Sequence, residues 1–195
     1  MIHSTVKMID DSAVVLESFV CMEFINSIGM KKHGIAEKDL MTLESSMPDA
    51  EKWDKEICSV FYKVLMKPDP DEQKEAFEHF SKSLGLFIAD VEEGDGGFYK
   101  STSPTIVDYA IIPWILRIKV IKHFRPEFRI EDVIGQEAAA KLTAYSDRMA
   151  TLPAVKNTMW RDDNELYKVY ERYAKGTATS QVGKAVARGG NAHDK

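Results

Sequence analysis

The chain has 195 residues, 44% of them hydrophobic and 29% charged, enough for one domain of ordinary size with a proper core. Its net charge is −5 with acids and bases interspersed, which argues against a nucleic-acid or membrane-surface role, because counterion-release binding needs a concentrated basic face. Two cysteines, Cys21 and Cys58, make no disulfide framework and no metal-ligand spacing, so no metal site is expected. The start has no basic-then-apolar leader and no apolar run approaches a membrane span, so the expected location is a reducing cytoplasm without a membrane partner.

Residues 1–16 read as two short strands. Val6–Ile9 and Ala13–Leu16 are apolar runs split by Asp10-Asp11-Ser12, a turn-forming cluster. Glu17 to Ile28 reads as a helix with a wide apolar arc, stopped by Gly29. Residues 30–48 are mixed and polar and read as a linker. Over 49–66, Trp53, Ile57, Val60, Phe61, Val64 and Leu65 share one helical stripe, with Ser46-x-x-Asp49 as a start signal and Pro68-Asp69-Pro70 as the stop. Residues 71–91 repeat the pattern with Phe77, Phe80, Leu84, Phe87, Ile88 and Val91, and the two make an antiparallel pair.

The next stretch organises the chain. Thr105-x-x-Asp108 is a helix-start box with aspartate in place of the usual Glu or Gln, and Ile106–Ile118 is apolar nearly all the way round. This predicts a wholly buried central helix, bent at Pro113, where one backbone bond is lost. A Pro126-containing loop, a helix over about 136–149, a short helix from Leu152-Pro153 and a last helix near 164–174 follow. Residues 176–195 read as a frayed tail, although Gln181–Ala187 can form a turn or two.

The order of these elements resembles the glutathione transferase superfamily, in which a thioredoxin-like half precedes an all-helical half. The segments Pro113-Trp114-Ile115-Leu116-Arg117, Leu152–Thr158 and Tyr170–Ala174 narrow the likeness to the omega class and its fungal omega-like relatives. The fold class implied is mainly α: an all-helical C-terminal-type transferase domain (49–175) preceded by a ββα remnant of a thioredoxin-like domain (1–29), a linker (30–48) and a tail (176–195).

The resemblance implies glutathione as co-substrate, held by Glu17, Ser18 and Thr5. A serine hydroxyl and N–H at a helix start suit the γ-glutamyl carboxylate, and Glu17 suits its ammonium. Read without the resemblance, Ser18 simply caps its helix. Trp114 and Arg117, with Tyr62 and Trp160 as weaker candidates, are implied to line the pocket for a small electrophile; read alone, Trp114 is core and Arg117 pairs with a surface acid. Thr105 and Asp108 are structural caps, and Cys21, Cys58 and Phe61 are core. The histidines have no partner at catalytic spacing.

The strand–helix–strand that opens the family's first half, with its catalytic Cys, Ser or Tyr, has no counterpart here. Thr5 falls where a residue preceding a cis-proline belongs, but no proline follows. Two expectations result. One is a truncated gene model of a glutathione transferase, a cytoplasmic homodimer that transfers or removes glutathione on a small electrophile. The other is a non-catalytic helical binding or assembly module, such as the transferase-like domains of translation factors.

Overall fold

The computed structural model describes residues 5–7, 14–16, 43–91, 97–190 and 192, with side chains described from residue 47 onward. Two strands, β1 (Thr5–Lys7) and β2 (Val14–Leu16), pair antiparallel with Thr5 opposite Leu16 and Lys7 opposite Val14. The helix expected from Glu17 lies outside the described residues.

Helices make up the rest. α1 (Leu43–Trp53), a π-helical segment (Asp54–Ser59) and α2 (Val60–Met66) follow one another without a break. The helix therefore starts at Leu43 instead of Asp49, inside the stretch read as a linker. Pro48 lies within α1, close enough to its start that the missing N–H removes only an early bond. The π segment packs more residues into a turn, and Ile57, Cys58, Ser59, Val60, Phe61 and Tyr62 are consecutively buried.

Asp69 starts α3 (Pro70–Ala89), its carboxylate accepting from the N–H groups of Asp71 at 2.9 Å and Glu72 at 3.0 Å, with Pro70 at the first position. Its apolar face, Phe77, Phe80, Leu84 and Phe87, packs on α2 across the short Lys67–Asp69 turn. The edge of Trp53 meets Phe87, and Phe87 stacks on Tyr99 with centroids 5.4 Å apart.

The central helix α4 (Ile106–Ile115) packs against α1 and the π segment, and α5 (Ile118–Phe124) continues after a break at Leu116–Arg117. Thr105 accepts from the Asp108 N–H, and Asp108 accepts from the Thr105 N–H at 2.6 Å. The sequence led us to expect α4 to be wholly buried. Ile106, Val107, Asp108, Ile111, Ile112 and Ile115 are, but Tyr109, Pro113 and Trp114 are only partly covered. Tyr109 and Pro113 are open because they line a cavity, whereas Trp114 lies in a ring cluster beside it.

Arg125 ties the helix ends together. Its guanidinium donates to the carbonyls of Leu65 at 2.9 Å, Ala174 at 3.1 Å and Phe124 at 2.8 Å, and to the Gln73 side chain at 3.2 Å. A cation at the carbonyl-rich ends of helices complements their partial negative charge. The loop around Pro126 leads to a short α6 (Glu131–Ile134), then α7 (Gln136–Thr151), α8 (Pro153–Lys156) and α9 (Asp163–Ala174).

The region read as a tail is built into the core. Ser180 caps α10 (Gln181–Ala187), accepting from the Gly183 N–H at 3.0 Å, and Val182 and Val186 are buried against α2. Ala192 is fully buried and its N–H meets the Ser59 hydroxyl at 3.4 Å. Local pattern predicts fraying here; the order comes from long-range contact with the π segment and α2.

Candidate functional site

A cavity of about 260 Å³ opens on the partly covered side of α4. One wall is the end of α4 and the break after it, with Ile112, Pro113, Leu116 and Arg117. The opposite wall is α8 and the turn following it, with Val155, Met159 and Trp160, and Leu166 of α9 also lines the space. Local sequence dictates this arrangement. Pro153 starts α8, and the chain turns at Asn157–Met159, where Thr158 and Met159 both donate their N–H to the Val155 carbonyl at 3.0 Å.

Beside the cavity lies a cluster of rings. Trp114 has its centroid 5.5 Å from that of Phe61 and 5.4 Å from that of Tyr62. Tyr62 in turn meets Tyr170 at 6.3 Å and Tyr173 at 5.1 Å, and the Tyr173 hydroxyl is 2.9 Å from Ser180 Oγ. Arg117 belongs to both places. It lines the cavity, and its guanidinium carbon lies 4.8 Å from the Trp114 ring centroid, a cation–π distance.

The four residues expected to share one pocket are therefore divided. Arg117 and Trp160 line the cavity, Trp160 at its rim with 42% exposure. Trp114 and Tyr62 do not line it; they form the aromatic cluster, and Tyr62 is only 8% exposed. No surface acid pairs with Arg117 among the described residues, contrary to the simpler reading of that side chain. Glu17 and Ser18 lie outside the described residues, and Thr5 is placed only as a strand residue opposite Leu16.

Sequence reasoning missed Tyr170 and Tyr173 as site neighbours, and Val155, Met159 and Leu166 as cavity walls. Tyr170 and Tyr173 at i, i+3 on one helix face were the available signal.

The electrostatics set limits on the chemistry. Burial pushes the Tyr62 and Tyr170 phenols upward, with Arg117 partly opposing the shift at Tyr170. Burial also drives the Cys58 thiol well up, reinforced by the charge of Asp54, to which the thiol is hydrogen-bonded. These groups are protonated at neutral pH and are poor nucleophiles. No group of His, Cys, Asp and Glu among the described residues is placed to hold a metal ion. The described part of the site can bind and orient; it supplies no activated nucleophile.

This architecture, a capped central helix inside a helical bundle, is a glutathione transferase-like fold. The chain is similar to the crystal structure of glutathione transferase Omega 3C from Trametes versicolor, with a TM-score of 0.62 and 20% sequence identity over 78% of this chain. The match spans 65% of the length of that protein, and at this identity the likeness is one of fold. No family model and no curated protein matches the chain. The described residues contain no helix long and apolar enough to cross a membrane.

Proposed function

We propose that the chain is an omega-like glutathione transferase-type protein that transfers or removes glutathione on a small electrophile. In this reading residues 1–29 belong to a thioredoxin-like unit, and Glu17, Ser18 and Thr5 hold glutathione, whose sulfur is the nucleophile. Arg117 presents the electrophile, with Trp114 packed against its guanidinium, Tyr62 behind Trp114 and Trp160 at the rim. The protein is a cytoplasmic homodimer. The observation that carries the reading is Arg117, which joins an open cavity to an aromatic cluster on the central helix of a transferase-like fold. A guanidinium over an aromatic wall suits a carbonyl-bearing or aromatic co-substrate.

One observation favours a second reading, a non-catalytic binding or assembly module. The Tyr62, Tyr170 and Cys58 side chains are all shifted away from ionisation.

Retention on immobilised glutathione, with Ser18→Ala as control, separates the two. A transferase-type protein is retained, loses retention in the variant, and conjugates glutathione to 1-chloro-2,4-dinitrobenzene or reduces a mixed disulfide. Retention unchanged by Ser18→Ala removes Glu17 and Ser18 from the site. Retention without turnover of either substrate leaves the binding module.

A further inference from the structure

The partly buried arginines of this protein are generally satisfied. Arg125 has four acceptors and Arg148 donates to the Gly97 carbonyl. Arg117 differs. Among the described residues its Nε is buried with no hydrogen-bond partner, and the guanidinium lies over the ring of Trp114. A guanidinium keeps its charge at every physiological pH, so it cannot escape the cost of burial by losing a proton. A desolvated donor without an acceptor is costly, and a charged one more so.

Lys119, the other cation lining the cavity, is already engaged, its ammonium donating to the Asp163 carboxylate. Arg117 is thus the lining cation with donors to spare. The rest of the lining from α8, the turn after it and α9 is mainly apolar, with Val155, Met159 and Leu166, while the Thr158 hydroxyl there already donates to the Ala154 and Val155 carbonyls.

We propose that this cavity binds a small apolar carboxylate, its carboxylate on Arg117 and its hydrocarbon part against Leu116, Val155, Met159 and Leu166. The proposal rests on the reading of Arg117 and Trp160 as pocket residues, but it requires no glutathione. The volume of about 260 Å³ lies just under the roughly 300–1,000 Å³ of drug-sized sites, which limits the ligand to a single ring with a short acid side chain. The planar fork of the guanidinium takes a carboxylate through two parallel hydrogen bonds, which a neutral amide cannot reproduce. A site built to charge-pair the ligand discriminates sharply against an uncharged isostere, because the arginine is then left desolvated and unpaired.

The test uses 3-phenylpropanoate and its neutral amide, titrated into the full chain without glutathione and followed by calorimetry or by tryptophan fluorescence. The acid is expected to bind at least tenfold more tightly than the amide. Arg117→Gln should bring the acid down to the affinity of the amide, while Met159→Trp, which fills the cavity, should weaken both. Equal affinity for acid and amide on the unaltered chain, or no binding of either, overturns the proposal, and neither result depends on a variant folding. So does a preference for the acid that survives Arg117→Gln and vanishes in Lys119→Met. Acid binding by a chain that fails to be retained on glutathione would remove the transferase reading and leave this one standing.

Discussion

The Tyr145 hydroxyl donates to the Asp108 carboxylate at 2.8 Å, joining α7 to the first turn of the central helix. The same Oδ1 accepts from the Tyr99 N–H at 3.0 Å, while Oδ2 accepts from the Thr105 N–H and hydroxyl, both at 2.6 Å. Asp108 is fully buried, so a single charge is held by four donors from three parts of the chain. It is a hub between helices as much as a helix cap.

That arrangement sets the first prediction. Removing a helix cap costs about 1 kcal/mol, whereas each buried partner left unmatched costs about 1–3 kcal/mol. Asp108→Ala should therefore cost about 3–5 kcal/mol by urea unfolding, and Thr105→Ala about 1 kcal/mol. Equal costs for the two would reduce Asp108 to a local cap.

Stability should also fall at alkaline pH, and for a definable reason. Burial first, then the neighbouring Asp108 charge, raises the Tyr145 phenol, and burial raises Tyr62 and Tyr170. The folded phenols keep their protons when the unfolded ones lose them. The stability they contribute is complete below about pH 10 and declines as pH rises beyond it, by about 1.4 kcal/mol per pH unit for each tyrosine. Denaturant unfolding at pH 9, 10 and 11 should show this slope, shallower in Tyr145→Phe. An unchanged slope in that variant would mean that Tyr145 ionises in the folded protein as easily as in the unfolded chain.

The acid limb carries a smaller effect. Lys100 Nζ lies 3.0 Å from Asp49 Oδ2, and the hydrogen bond from Lys100 is the main reason the Asp49 carboxyl is held below its usual value. A depressed carboxyl adds stability above about pH 4, and this is lost as pH falls through the folded value. The pair is largely open to solvent, so the gain is about 0.5 kcal/mol. Lys100 also has φ of 50°, a left-handed backbone that costs about 1 kcal/mol relative to glycine. Lys100→Gly should therefore change little at pH 7 and stabilise the protein at pH 3, while Asp49→Asn should be destabilising only at the higher pH.

What the sequence could reveal depended on the range of the interaction. Thr105-x-x-Asp108 and the stripe from Trp53 to Leu65 are written at three- and four-residue spacing, and both were legible. The links from Asp108 to Tyr99 and Tyr145 cross 9 and 37 residues, and no local pattern encodes them. The π segment, Asp54-Lys55-Glu56-Ile57-Cys58-Ser59, carries no local pattern that sets it apart from an ordinary helix. The turn or two read over Gln181–Ala187 is there as α10, but its place in the core was not legible: a two-turn stretch containing Gly183 has little intrinsic helicity, and its order depends on burying Val182 and Val186. Within the site, residue type pointed to Trp114, Arg117, Tyr62 and Trp160 alike. Which side of the central helix each one serves depends on how α8 and α9 fold back, and composition carries no trace of that.

The two tryptophans let the division of the site be measured. Trp114 lies against Phe61, Tyr62 and the Arg117 guanidinium, whereas Trp160 stands at the cavity rim with 42% exposure. Truncating a large packed aromatic costs about 3–5 kcal/mol, and an exposed surface change usually stays within about 0.5 kcal/mol. Trp114→Ala should therefore lower stability by about 3 kcal/mol, somewhat less than a fully buried ring because its own side chain is partly open. Trp160→Ala should leave the unfolding midpoint nearly unchanged while weakening any ligand held in the cavity. Unfolding curves for both variants, with 3-phenylpropanoate titrations on the same samples, decide the assignment. Should Trp160→Ala prove as destabilising as Trp114→Ala, its ring serves the fold and the cavity loses its aromatic rim.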